Sequence, residues 1–473
     1  MFTSHPASVR AELFRTRSTH ISTKVVAPVR ELIIRLRDDG HEAWLAGGCV
    51  RDLLLGRLPD DFDVATSARP EIVQRLFPRT VPTGLQHGTV TVLVDGAPGD
   101  KVEVTTFRGE GAYSDGRRPE HVVFITDLDQ DLARRDFTIN AMALDPVSGE
   151  LRDPFGGLTD LAERRVSCVG TARDRFQEDG LRTLRAVRFA SVLRFRITPE
   201  TAAAIPHARE TVRKVAKERV RDEIAKLLVR SPRPSRGLKL LAQTGLLQET
   251  IPELEESRGL PQNRWHRWDV WTHTLRVVDR TPPDLEVRLA ALLHDVAKPR
   301  SAVPTAPGEH SFHGHEVMGA VLAAEILERL RFPRKVIDSV VHLIREHVWH
   351  YDPHWSDGAV RRHLRRVGKE NLPAFFSLRE ADLHGRGRAV PEGLTNLAEL
   401  RARFAVEEER ATALSIKDLA VSGNDLLTAT GRGAGPWLGQ ALRGLLEHVL
   451  DHPEDNVRET LLAMAVRSSG SNP

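Results

Sequence analysis

Cysteine is nearly absent: Cys49 and Cys168 are the only two among 473 residues. Two thiols are too few for a disulfide framework or a Cys-rich zinc site. They fit a reducing compartment, and a cytoplasmic location is expected. Long apolar runs are missing too; nothing approaches the roughly 18 consecutive apolar residues of a membrane span. There is no secretory h-region. Met1–Lys24 carries Arg, Ser and Thr with Glu12 as its single acid, a composition faintly like a transit peptide but read more simply as a ragged start or tail. Low complexity is confined to the ends, including RSSGSNP at residues 467–473, so disorder is excluded as the main state. Internal repeats are lacking. Net charge is small as well, +3 at pH 7.

What is there suits a soluble globular chain: 40% hydrophobic and 28% charged residues, with a length that suggests about three domains. The small net charge hides an imbalance. Residues 161–240 hold 20 Lys or Arg against 9 Asp or Glu, a local +11. Only 10 of the 68 basic residues are Lys, and that bias explains the choice of Arg but not the local excess. Such a block is the electrostatic footprint of a polyanion partner, nucleic acid above all.

Residues 25–150 alternate helical and extended patterns. VVAPVRELIIRLRDDG has helical period and ends at Gly40. HEAWLA (41–46) is a short apolar strand stopped by Gly47 and Gly48, and a helix follows over Val50–Leu55. FDVAT (62–66) reads as a strand, and Pro70 opens a helix. TVTVLVD (89–95) and KVEVTTF (101–107) alternate with period two and meet through GAPG, a hairpin signature. From about residue 160 strand signals fade and helical runs follow one another. The expected class is α+β: a small-sheet domain followed by helical domains.

The densest chemistry lies in LAGGCVRDLLLGRLPDDFDVAT (45–66). Gly47 and Gly48 let the backbone turn sharply and approach a phosphate. The helix after them offers unpaired N–H groups, and Arg51 in its first turn offers a guanidinium for a triphosphate oxygen. Asp61 and Asp63, two apart on a strand, point to one face roughly 6.5 Å apart. Paired hard oxygens suit Mg²⁺, and a two-metal site would activate a hydroxyl and stabilise a leaving pyrophosphate. Asp-x-Asp alone would be a solvated turn; coupled to Gly-Gly-x-x-Arg-Asp it reads as a site.

GGCVRD followed by DDFDVAT resembles the nucleotidyltransferase head of class II tRNA nucleotidyltransferases, the CCA-adding enzymes, and of the related bacterial poly(A) polymerases. LARRDFTINAMA (132–143), EDGLRTLRAVRFA (178–190) and KERVRDE (217–223) are similar to the family's second, base-template and neck-closing motifs, in the family's order. The resemblance covers most of residues 30–450. It implies a mixed-sheet, DNA polymerase beta-like head followed by all-α neck, HD and tail domains. It implies CTP, ATP and a tRNA 3′ end as partners, Mg²⁺ in the head, and no membrane. Glu103, on a neighbouring strand, is a candidate third carboxylate or a plain exposed strand residue. Arg134 and Arg135 can serve phosphates while Asp136 anchors them, and the resemblance implies sugar and triphosphate contacts for these residues and Asn140. FRGEGAYSDGRRPEHV (107–122) should be a mobile loop. In the family this loop is needed for adding the terminal A, and its presence argues against a CC-only enzyme.

Residues 178–188 read as helix, placing Asp179, Arg182, Arg185 and Arg188 three apart as successive neighbours. The plain reading is a salt-bridge ladder. The chemical reading is sharper. Cytosine and adenine both present an exocyclic amine beside an unprotonated ring nitrogen; a carboxylate accepts from the first and a guanidinium donates to the second. Guanine and uracil present a carbonyl and a protonated nitrogen there. The resemblance implies base reading by Asp179 and Arg182, with Arg185 and Arg188 supporting the same nucleotide.

Histidines concentrate between residues 266 and 384. His273, His294 with Asp295, and Asp382 resemble the His…His-Asp…Asp order of HD phosphohydrolases, and His315 and His347 would complete a second metal position. Imidazoles with carboxylates suit Mg, Mn, Ni or Fe. His313, His342, His350 and His384 are left as neighbours, and the tryptophans between 265 and 355 as packing. The expected organisation is a tail at 1–24, head at 25–160, basic neck at 161–255, HD domain at 256–390, helical tail region at 391–466, and a disordered end at 467–473. The expected function is CCA addition to tRNA from CTP and ATP, with an accessory phosphohydrolase. A-only or poly(A) addition are the alternatives. More remote are a guanosine tetraphosphate synthetase/hydrolase, in which the HD part comes first, and a non-catalytic RNA-binding protein.

Overall fold

The computed structural model describes residues 25–109, 123–348, 351–388, 390–410 and 413–469. Most of the 107–122 loop, the first 24 residues and His350 lie outside the described residues. The chain divides into two compact units, residues 1–252 and 253–473.

The first unit opens with the helix Ala27–Asp38, which buries Val29, Leu32, Ile33 and Leu36 along one face and stops before Gly40 at φ 86°. Seven strands follow: β1 Ala43–Ala46, β2 Asp63–Thr66, β3 Thr80–Gly84, β4 Thr89–Leu93, β5 Lys101–Thr106, β6 Ala143–Leu144 and β7 Leu151–Arg152. They form one mixed sheet in the order β3-β4-β5-β2-β1-β6-β7. β2 and β5 run parallel, with Asp63 opposite Glu103, and the expected β4–β5 hairpin is antiparallel. Trp44, Ala46, Ala65, Phe107, Leu128 and Leu132 form a core cluster. β3 has no period-two signal because Pro82 and its neighbours are exposed; a proline is tolerated there because the strand is an edge. β6 and β7, two residues each, are too short to show any period.

The rest of the first unit is mostly helical, with a two-stranded ribbon of β8 Arg165–Val166 and β9 Arg196–Ile197. One sequence expectation is corrected here. Residues 178–188 are not one helix: Ala172–Glu178 ends, Asp179 is extended at φ −147° ψ 105°, and a new helix runs Leu181–Leu193. Beside the break stands Gly180, where an added Cβ would lie 2.5 Å from the Val212 backbone nitrogen and 2.6 Å from the Thr211 carbonyl carbon, so only glycine lets those two stretches of backbone pack together.

Among its described residues the second unit is helical apart from a hairpin, β10 Val303–Ala306 and β11 Glu309–Ser311. Its last helix, Arg458–Ser469, runs into the segment expected to be frayed. Among the described residues no helix is long and apolar enough to cross a membrane.

A candidate nucleotide site and a candidate metal centre

In the first unit, Phe62 is buried, so its neighbours Asp61 and Asp63 face the other way. Asp61 precedes β2 rather than lying within it, and Asp63 begins the strand. The β2–β5 register puts Glu103 beside Asp63. Burial, then the Asp61 and Glu103 charges, push the Asp63 carboxyl up to about 6. A third carboxylate crowding a half-buried one is an arrangement that a divalent cation would relieve, and the donor set is all hard oxygen.

Gly47 holds φ 87°, and a Cβ there would sit 2.7 Å from the Arg135 guanidinium and 3.7 Å from the Asp63 carboxylate. Only glycine lets Arg135 lie across this turn beside the carboxylates. Gly48 begins the seven-residue helix Gly48–Leu54. Arg51 does not reach outward from it as expected. Its guanidinium is buried, donating to Asn140 at 2.6 Å and to Asp52 at 2.8 Å, and it packs 5.0 Å from the Phe189 ring centroid.

A second correction concerns the arginine pair. Asp131, not Asp136, anchors both: its carboxylate takes Arg134 at 2.6 Å and Arg135 at 3.1 Å. The signal was available, since Asp131 stands three and four residues before them at the end of the helix Leu128–Ala133. Asp136 instead accepts from Asn140 at 3.1 Å and from Arg185 at 2.6 Å. Burial opposes its charge, but Arg185 and then Asn140 win and hold the carboxyl down at about 2. A polar chain therefore runs Arg51, Asn140, Asp136, Arg185, continuing to Glu223, which also takes Arg188 at 2.5 Å. Glu223 was overlooked in KERVRDE; among Glu218, Asp222 and Glu223 of a charged helix, nothing marks the one that is buried. Cys49 is no nucleophile, because burial and then Asp63 raise its thiol to about 12.

Asp179 is not the i, i−3 partner of Arg182. It accepts from the Leu181 N–H at 3.0 Å and from Arg219 at 2.7 Å. Arg182 bonds Glu178 at 2.5 Å and the carbonyls of Arg134 and Arg175, both at 3.0 Å. Arg185 is one-third exposed and Arg188 is buried.

In the second unit, all six ligand candidates come together. His273 lies on the helix Val270–Val278, His294 and Asp295 just after Leu285–Leu293, His315 at the start of His315–Arg329, His347 just after Arg334–Glu346, and Asp382 on Leu372–Gly385. His273 Nε2 is 3.2 Å from His294 Nε2 and 3.1 Å from Asp382. Asp295 is 3.1 Å from His294, 3.4 Å from His315 and 3.8 Å from His347. Two ligand sets share Asp295: His273 with His294, and His315 with His347, the donor atoms in each set lying within 4.8 Å of one another.

Three of the imidazoles are held by the backbone. His294, His315 and His347 each donate Nδ1–H to the carbonyl three residues earlier, at 2.9, 2.6 and 2.6 Å. That fixes the tautomer and turns a bare Nε2 inward. Burial holds His347 down to about 4, so it is neutral, the ligand form, at neutral pH. Lys298, which sequence reasoning missed although it stands one turn after Asp295, reaches Asp295 at 2.8 Å and Gln262 at 2.7 Å. The cluster opens into a cavity of about 440 Å³ lined also by Trp265, His266, Arg379 and Arg386. His313 lines this cavity too, His342 bonds the Val367 carbonyl, and His384 is exposed. Trp271 packs as expected, but Trp265 is 58% exposed and lines the cavity.

Comparison with known proteins gives three family matches: "Poly A polymerase head domain" over residues 43–167, "Probable RNA and SrmB-binding site of polymerase A" over 194–257, and tRNA nucleotidyltransferase domain 2 over 317–465. A CCA-adding enzyme of Geobacillus kaustophilus is 35% identical over 445 residues, covering 91% of this chain and 94% of that one. The crystal structure of the Bacillus stearothermophilus CCA-adding enzyme in complex with CTP superposes with a TM-score of 0.68 at 30% identity, covering 94% and 97%. The Thermotoga maritima CCA-adding enzyme complexed with tRNA shares the fold, with a TM-score of 0.54 at 21% identity over 95% and 98%.

Proposed function

The chain belongs to the family of CCA-adding tRNA nucleotidyltransferases, and from that premise we propose that it adds CMP, CMP and AMP in turn to the tRNA 3′ end, taking CTP and ATP. The observation that carries the reading is the carboxylate cluster of Asp61, Asp63 and Glu103, with Arg135 laid across Gly47 at its edge. These carboxylates would hold Mg²⁺, which when bound would supply Lewis-acid chemistry to the attacking 3′-hydroxyl and the leaving pyrophosphate. Gly47, Gly48 and Arg135 receive the triphosphate, with Arg134 held beside Arg135 by Asp131. Arg51 and Asn140 act from behind, through Asp136, by fixing Arg185 at the nucleotide. Asp179 and Arg182 read the base and accept only those with an amine beside a bare ring nitrogen. Arg188, locked to Glu223, supports the wall on which they stand. RNA is held chiefly by the basic neck. The test is incubation of tRNAs ending in the discriminator base, C or CC with labelled CTP and ATP. Addition of the full trinucleotide is expected; AMP addition to the CC-ending tRNA alone would indicate an A-only enzyme, and long A tracts a poly(A) polymerase.

The second unit carries a separate HD-type, metal-dependent phosphohydrolase centre for small phosphoesters or phosphorylated RNA ends. The sharing of Asp295 between two histidine pairs supports it, as does the backbone tether on three of the imidazoles. His273, His294, Asp295 and Asp382 would hold one divalent ion (Mg, Mn, Ni or Fe), and His315 and His347 would complete a second position. Bound metal there would supply an activated water. Purified protein should release phosphate from p-nitrophenyl phosphate or a 3′-phosphorylated oligonucleotide after Mn²⁺ or Ni²⁺ is added; inertness with every metal and both substrates would reject the centre.

A further inference from the structure

We propose that Arg379 is a positioning residue for both metal positions of the second unit, joining Asp382 of one to His347 of the other so that neither ligand keeps its place without it. The inference rests on the reading of the histidine cluster as a two-metal centre.

The bridge is a single nitrogen. Arg379 Nη1 donates one hydrogen to the His347 carbonyl at 2.5 Å and the other to Asp382 Oδ2 at 3.1 Å. Asp382 stands three residues on along the same helix, Leu372–Gly385, a contact that helical spacing alone would give. His347 belongs elsewhere, just after the helix Arg334–Glu346 and 32 residues back along the chain. Both bonds leave the metal-facing atoms clear. Asp382 turns Oδ1 toward His273 at 3.1 Å, while Oδ2 is occupied by Arg379 and, at 3.4 Å, by Arg386. The His347 ring is tethered through Nδ1–H to the Ile344 carbonyl, and its own carbonyl is held by Arg379. Ring and backbone are thus fixed separately, with Nε2 facing Asp295 at 3.8 Å.

Charge alone does not account for an arginine here. A guanidinium about 3 Å from a metal ligand repels the cation which that ligand would bind. Arg379 is also buried, and a buried guanidinium is unfavourable unless its hydrogen bonds are made. What it supplies is a planar group with fixed N–H directions, which a lysine ammonium would not. Partners standing behind metal ligands change metal affinity about 10- to 100-fold, and here one side chain stands behind a ligand of each position. Asp295 joins the two positions from inside, as the residue common to both sets; Arg379 joins them from outside. Because Arg379 also lines the cavity, where a substrate would touch it, metal binding rather than turnover isolates its role.

The test is Ni²⁺ binding by titration calorimetry, without substrate, in the full-length chain carrying Asp61→Ala and Asp63→Asn so that the head takes no ion. Thermal melting of the metal-free protein is the check on folding. This parent should take two Ni²⁺. His315→Ala isolates the first position and His273→Ala the second. Adding Arg379→Met should weaken the remaining position about 10- to 100-fold in each of these two backgrounds, and Arg379→Lys should fall between it and the parent. Arg386→Met, which among the six ligand candidates reaches Asp382 alone, should weaken the first position only. If the parent takes fewer than two Ni²⁺, the two-metal reading fails and the inference with it. If the parent takes two and Arg379→Met leaves either position at full affinity, or tightens it, the role of Arg379 alone is overturned. Should Arg379→Met not fold, parent affinities in Arg379→Lys overturn it equally.

Discussion

Asp63 carries the clearest electrostatic signature of the head. Its folded carboxyl titrates near 6 against 3.8 for a free aspartate, so the fold disfavours its charged form. The sign follows directly: the contribution to stability is intact below about pH 4 and is lost as pH rises through about 6. A bound divalent cation reverses the loss by favouring the carboxylate. Mg²⁺ should therefore raise the melting temperature more at pH 7.5 than at pH 5, and the difference should vanish in Asp63→Asn. Equal Mg²⁺ shifts at both pH values would remove the metal assignment from this residue. The same variant, and Asp61→Ala, should abolish nucleotide addition in a folded protein. Asp136 behaves oppositely. Buried and held at about 2 by Arg185 and Asn140, it is the centre of a polar chain. Asp136→Ala leaves Asn140 and Arg185 without their shared acceptor and should cost about 3–5 kcal/mol in urea unfolding; a loss below about 1 kcal/mol would show that the chain is not a cooperative unit.

Among the elements, the break between Ala172–Glu178 and Leu181–Leu193 matters most. It turns Asp179 off the helix surface and toward Arg219. Beside it stands Gly180, which has ordinary φ but no room for a side chain beside Thr211 and Val212. Gly180→Ala forces the neighbouring segments apart and should destabilise by about 1–3 kcal/mol, while lowering nucleotide selectivity. The control is Gly170→Ala, where nothing lies within 4 Å but φ is +64°; it should cost about 1 kcal/mol of strain and leave selectivity intact. Selectivity unchanged in Gly180→Ala would mean that the break does not orient Asp179.

For the molecule as a whole, two compact units carry two chemically unlike side-chain clusters, hard oxygens in one and imidazoles with carboxylates in the other. His294→Ala should remove metal-dependent phosphoesterase activity while CCA addition continues near the wild-type rate, measured in parallel on one preparation. Loss of both activities would make the second unit a support for the first. The basic neck sets the expected mode of RNA binding. With about six phosphates covered, tRNA affinity should fall roughly 10³-fold between about 50 and 200 mM salt; a flat salt response in filter binding would contradict it.

The elements that read correctly from sequence were those whose signals are local. The stripe Val29, Leu32, Ile33, Leu36 and the alternation in β4 and β5 are periodicities that every backbone of that type must show. The six metal-ligand candidates could be picked out because such chemistry admits few residue types, and the structure brings them together. What the sequence left open was decided at a distance. The helical pattern over 178–188 is interrupted at Asp179, and Gly180 beside it must be glycine because the Thr211–Val212 backbone, some thirty residues on, occupies the space of a Cβ. Arg51 turns inward because Asn140 and Phe189, far along the chain, complete its site. Asp131 rather than Asp136 became the arginine anchor, and Glu223 and Arg219 became partners of Arg188 and Asp179, because a charge pairs with whatever counter-charge packing brings within reach. The sequence determined which chemical groups exist and which segments coil or extend; the tertiary structure decided which of those groups meet, since hydrogen bonds and ion pairs act over a few ångströms of space and are indifferent to separation along the chain.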